Sequence, residues 1–181
     1  MDGGYVNTGT LTITGGTGTS TNAFCVAAGG IVGAFYGNIS NAVNLGDIKF
    51  TGNANSNNSS VGGIVAYSTA AGKITNCKHY ANIQAIDVSK GTMYPNVGAI
   101  TGSHRVLELG KAVARTAIVE NCQVGGAILG AYNIEDEEYV TTSLSESNYF
   151  NYIYGSGAST DWTGTDNYDG CTLLTAKPNV D

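Results

Sequence analysis

A chain of 181 residues with a formal net charge of −6 and a pI near 4.7 carries only 8 Lys and Arg. That is too few for a surface built to neutralise phosphates, which sets nucleic-acid binding aside. With 42% hydrophobic and 12% charged residues, the polarity rests on Gly, Thr, Ser and Asn rather than Lys and Glu, which disfavours helices and favours strands and turns.

The length suits one domain that buries roughly 70% of its unfolded surface. No stretch approaches the roughly 18 consecutive apolar residues of a membrane helix. The start, Met1-Asp2-Gly3-Gly4, lacks the regions of a signal peptide, as a domain cut from a longer secreted chain would.

From the N-terminus, Asn7-Thr8-Gly9-Thr10-Leu11-Thr12-Ile13 resembles Asn44-Leu45-Gly46-Asp47-Ile48-Lys49-Phe50, so it reads as the end of an earlier coil. Gly15-Gly16-Thr17-Gly18-Thr19-Ser20 lacks the lysine and spacing of a phosphate loop and reads as a turn. Gly29-Gly30-Ile31-Val32-Gly33 then recurs as Gly62-Gly63-Ile64-Val65-Ala66 and, decayed, as Gly98-Ala99-Ile100-Thr101-Gly102, at offsets of 33 and 36 residues. A second block follows each: Ile39-Ser40-Asn41-Ala42, Ile74-Thr75-Asn76-Cys77 and Val119-Glu120-Asn121-Cys122. Another Ile stands nine residues after the start of each second block, at 48, 83 and 128.

Short apolar runs bounded by Gly and Asn predict strands, two or three to a unit, stacked so that each Ile sits on the Ile below. The fold class predicted is all-β: a right-handed parallel β-helix (β-solenoid) of about three to four coils with a C-terminal cap. The hand follows from the general preference of parallel crossovers. Residues 1–21 form an N-terminal coil or cap, 22–131 the repeats, and 132–181 the C-terminal cap. Asn41, Asn76 and Asn121 are assigned to corners that need the left-handed conformation. Cys77 and Cys122 share one repeat position and are expected to stack as reduced thiols, with Cys25 and Cys171 unassigned.

The blocks resemble GLUG-motif repeats: Gly29 to Gly33 with Gly37-Asn38-Ile39-Ser40-Asn41, then Gly62 to Val65 with Gly72-Lys73-Ile74-Thr75-Asn76-Cys77. The resemblance spans about residues 22–130. It implies a bacterial, Bacteroides-like surface or secreted protein, one associated with adhesion more than with catalysis.

The third unit departs from the pattern through His104 to Lys111, where a hairpin or short helix should protrude, and Val124 to Gly130 either closes that coil or opens a fourth. Beyond it, Glu135-Asp136-Glu137-Glu138 reads as a solvated loop. The aromatics Tyr149, Tyr152, Tyr154, Trp162 and Tyr168 either pack as a cap or stack on sugar rings and protein partners. Asp161, Asp166 and Asp169 could hold calcium together with loop carbonyls. His79 and His104 read as surface residues, and no residues are assigned to catalysis.

The leading expectation is a non-catalytic adhesion or binding module at the cell surface or outside the cell, part of a longer surface protein, with a glycan or extracellular protein as partner. The alternatives are a carbohydrate-active β-helix of the lyase or hydrolase kind, or a structural spacer. Fold alone does not separate these three.

Overall fold

The computed structural model describes residues 4–14, 27–52, 60–68, 72–87, 96–103, 105–108, 111–116, 118–126, 128–133, 138–141, 170–174 and 178. All elements among them are strands. The first two are β1 (Val6–Asn7) and β2 (Leu11–Thr14). The first repeat holds β3 (Ala27–Gly29), β4 (Val32–Phe35), β5 (Ile39–Ser40), β6 (Val43–Asn44) and β7 (Ile48–Gly52). The second holds β8 (Ser60–Gly62), β9 (Val65–Ser68), β10 (Lys73–Thr75), β11 (Lys78–His79) and β12 (Ile83–Asp87). In the third, β13 (Asn96–Gly98) and β14 (Thr101–Ser103) are followed by β15 (Arg105–Glu108) and β16 (Lys111–Thr116), then β17 (Ile118–Glu120), β18 (Gln123–Val124) and β19 (Ile128–Asn133). Last come β20 (Glu138–Thr141) and β21 (Thr172–Leu173).

These strands stack in parallel across repeats. The sheet orders are β13-β8-β3, β14-β9-β4, β17-β10-β5, β1-β6-β11-β18-β21 and β2-β7-β12-β19-β20, with only the β19–β20 pair antiparallel. Each repeat thus contributes five short strands to these sheets, with β15 and β16 additional in the third, not the two or three predicted. The arch between β3 and β4 escapes a reading of apolar runs because it falls inside one, Gly29 to Gly33, whereas the corner that divides Ile39 to Asn44 lies at Asn41, where the spacing places it.

Register follows the sequence blocks. Ile74 lies between Ile39 and Val119, and Ile83 between Ile48 and Ile128, so residues 124–130 close the third repeat rather than open another. Asn7 pairs with Asn44 and Leu11 with Ile48, which makes the N-terminal segment an earlier turn of the same pattern. The inserted segment of the third repeat forms the antiparallel hairpin β15–β16.

The arch explains the paired glycines. A Cβ on Gly29 would lie 1.9 Å from the carbonyl oxygen of Val32, and one on Gly62 would lie 1.9 Å from that of Val65. The two legs of the arch therefore touch backbone to backbone, and only glycine fits at the first position. Inward side chains fall into columns of like residues, with Ile39, Ile74 and Val119 in one and Ile48 and Ile83 in another, all buried. Each such isoleucine removed from water contributes roughly 1.5–3 kcal/mol before ordering costs.

The corners are as regular as the strands. Asn41, Asn76 and Asn121 have φ of 58°, 55° and 53°, and Gly170 takes the same place with φ of 68°. Asn41 donates its amide to the Thr75 carbonyl and Asn76 to the Glu120 carbonyl, both at 3.1 Å, so the turns are tied along the stack. Asn76→Gly is expected to leave stability nearly unchanged, whereas Asn76→Ala should cost about 1 kcal/mol, because alanine gains nothing locally to offset the left-handed conformation. Urea denaturation of the two variants beside the parent checks this, and an equal loss in both would mean that the amide rather than the backbone is what the corner needs.

Candidate functional site

Among the described residues the chemistry-bearing side chains form three columns, set by the parallel register. The first is polar, half-buried at Asn7 and buried at Asn44 and His79. Asn7 Oδ1 accepts the Gly9 amide at 3.1 Å, and Asn7 Nδ2 donates to Asn44 Oδ1 at 2.8 Å. Asn44 Oδ1 also accepts the Gly46 amide at 3.1 Å, and its Nδ2 faces His79 Nδ1 at 3.1 Å. Because a backbone N–H can only donate, the Gly46 contact fixes which end of the Asn44 amide is oxygen. Nδ1 of His79 therefore accepts, and a neutral ring carries its proton on Nε2.

His79 is 1% exposed, so the expectation of a surface histidine is corrected. Its register pairs it with Asn44, which pairs with Asn7, and that position points inward. The alignment of Asn7 with Asn44 in the sequence, extended by one repeat, lands on His79; the histidine was missed because its residue type differs from the two asparagines.

The second column is Ala42, Cys77, Cys122 and Cys171. None of the three cysteines is disulfide-bonded, Cys77 and Cys122 being buried and Cys171 partly so. The amide of Cys77 donates to Cys122 Sγ and that of Cys122 to Cys171 Sγ, each at 3.4 Å. Hydrogen bonds with the flanking thiols, together with burial, push the Cys122 thiol far above the ordinary range.

The third group faces outward. Val6, Val43, Lys78, Gln123 and Thr172 succeed one another across the sheet that contains β6, and Thr12, Lys49 and Gln84 do so across the next. Tyr80 is buried beside the first of these rows and its hydroxyl donates to Gln123 Oε1. Burial raises the Tyr80 phenol above its usual value. The neutral phenol is thus favoured in the fold, a contribution present below a pH of about 10 and lost as pH rises through the folded value. Lys73 Nζ and Glu120 Oε2 sit 3.5 Å apart on an exposed face and contribute at most about 1 kcal/mol. Tyr36, at 80% exposure, stands alone at the corner before Gly37.

The residues proposed from sequence for binding, Tyr149, Tyr152, Tyr154, Trp162 and Tyr168, and for calcium, Asp161, Asp166 and Asp169, lie outside the described residues, as do Cys25, His104 and Glu135 to Glu137. Among the described residues no group of three or more His, Cys, Asp or Glu side chains is arranged to hold a metal ion. No helix among them is long and apolar enough to cross a membrane.

A family model described as the GLUG motif matches residues 57–78. The chain therefore contains a GLUG motif in its second repeat, from before β8 to the start of β11, a narrower stretch than the resemblance over 22–130. No curated protein and no solved structure matches the chain.

Proposed function

We propose that this chain is a non-catalytic binding module displayed at a bacterial cell surface or secreted, and that it engages a glycan or an extracellular protein through an outward face of a right-handed parallel β-helix of three to four coils. The observation that carries the reading is the outward register. Val43, Lys78, Gln123 and Thr172, and beside them Thr12, Lys49 and Gln84, recur at the strand spacing of about 4.8 Å on adjacent sheets. A regular, sparsely charged surface of this kind suits an extended polymer, which meets a side chain at the same position of each strand. The GLUG motif supports a surface-type repeat module, and right-handedness follows the general rule for parallel crossovers. In this reading the chain is one part of a longer surface protein, and the C-terminal aromatics add stacking contacts.

The test is an array of host and microbial glycans and matrix proteins probed with the purified chain, with and without calcium. Saturable binding is expected, weakened at least tenfold by Lys78→Ala combined with Lys49→Ala if the register face carries it, or by Trp162→Ala or Tyr154→Ala if the aromatics do. Calcium dependence would assign Asp161, Asp166 and Asp169 to a cation. A blank array with a folded chain would leave the spacer role, and release of shortened saccharides would replace binding by catalysis.

A further inference from the structure

The thiol column carries more than packing requires. Ala42 fills the same position in the first repeat, so a methyl group suffices for the wall there, yet the next three occupants are all cysteine. The pairs Lys78 with Gln123 and Gln123 with Thr172 set Cys122 directly between Cys77 and Cys171. The backbone holds that register through Gln123 N to Cys77 O at 2.9 Å and Thr172 N to Cys122 O at 2.8 Å. Neighbouring strands in register hold their Cα atoms about 4.8 Å apart, inside the window of roughly 4.4–6.8 Å that a disulfide spans. Cys77 and Cys122 are buried while Cys171 is partly exposed, so a reagent from solvent meets Cys171 first.

We propose that Cys171 and Cys122 form a thiol–disulfide exchange site for a low-molecular-weight disulfide, and that the bond it leaves fastens residues 170–174 to the third repeat. The Cys171 thiolate attacks one sulfur of the small disulfide, forming a mixed disulfide and releasing one small thiolate. The Cys122 thiolate then attacks the Cys171 sulfur, forming the Cys122–Cys171 bond and releasing the second. Two protein thiols are oxidised, one small disulfide is reduced to two thiols, and the two protons pass to the released thiolates. The second step is the slow one, because the flanking thiols and burial hold Cys122 protonated and keep its thiolate scarce. Since Cys122 has two neighbours and one sulfur, the column holds one bond at a time, and Cys77 stays a thiol while Cys171 is engaged.

The experiment incubates the reduced, intact chain with excess oxidised glutathione at pH 8, alkylates the remaining thiols and maps them by proteolysis and mass spectrometry. The expected product links Cys122 to Cys171, leaves Cys77 alkylated and raises the Tm by roughly 5–10 °C, reversed by dithiothreitol. Cys171→Ser should abolish both the link and the rise. Cys77→Ala, which copies the alanine at 42, should preserve both and guards against a folding defect in the first variant. Glutathione retained on Cys171 with Cys122 alkylated, or a link made through Cys25 instead, would overturn the proposal.

Discussion

Gly63→Ala is expected to lower the stability of the chain by about 3 kcal/mol or more, and Gly9→Ala by no more than about 0.5 kcal/mol. A Cβ on Gly63 would sit 1.9 Å from the carbonyl oxygen of Ala99 in the next repeat and 2.5 Å from His79 Cγ. The carbonyl belongs to a backbone already committed to the stack, where Ile64 N and Val65 N both donate to Ile100 O at 3.0 Å, so it cannot retreat without breaking the ladder. Gly9 meets only the Asn7 Oδ1 at 3.7 Å and has room for a methyl. The third repeat supplies an internal comparison. Its equivalent residue is Ala99, and where Gly30 faces Asn44 and Gly63 faces His79, Ala99 shares an apolar cluster with Val124. Glycine is thus required where the next repeat and the polar column crowd in, and alanine enters where the column ends. Urea unfolding followed by far-UV circular dichroism measures both variants, and a loss below about 1 kcal/mol for Gly63→Ala would refute the close stacking of second and third repeats.

That comparison also shows why the fold was more legible than the site. A parallel stack in register writes each structural position into the chain once per repeat, so Ile39, Ile74 and Val119, or Asn41, Asn76 and Asn121, reveal their equivalence by spacing alone. The arch between β3 and β4 is harder to see, because at Gly29 and Gly30 it is enforced by backbone contacts that a string of residue types does not display. The inward polar column was half legible: Asn7 and Asn44 align as like residues, whereas His79 continues the same hydrogen-bonded line with a different chemistry. Cys171 was missed as a column member for the opposite reason. Its neighbours Asp169 and Gly170 do not resemble Glu120 and Asn121, yet Gly170 reaches the same left-handed corner, a conformation open to glycine and asparagine alike. Ligand-binding residues are harder still, since an outward side chain is constrained by its partner and not by the repeat that carries it.

Asn44→Leu, a change that nearly keeps side-chain volume, is expected to cost on the order of 3–5 kcal/mol, because it takes away one acceptor and one donor on which three groups depend. Asn7 Nδ2 and the Gly46 amide both donate to Asn44 Oδ1, and His79 Nδ1 receives from its Nδ2. Each group left in an apolar setting without its partner loses roughly 1–3 kcal/mol, and Asn44 and His79 are both buried. Asn44→Asp should fall between the parent and Asn44→Leu. Its carboxylate still accepts from Asn7 and Gly46, while its second oxygen faces Nδ1 and calls for a proton there. The polarity of the column then inverts at one ring, with the neutral His79 proton moving from Nε2 to Nδ1, or the ring becoming doubly protonated beside the new charge. Ring nitrogen chemical shifts read this directly, with an Nε2–H ring expected in the parent and a protonated Nδ1 in Asn44→Asp. A parent ring already protonated on Nδ1 would mean that the amide of Asn44 is reversed, which the Gly46 amide forbids, and the hydrogen-bonded column would have to be redrawn from Gly9 upward.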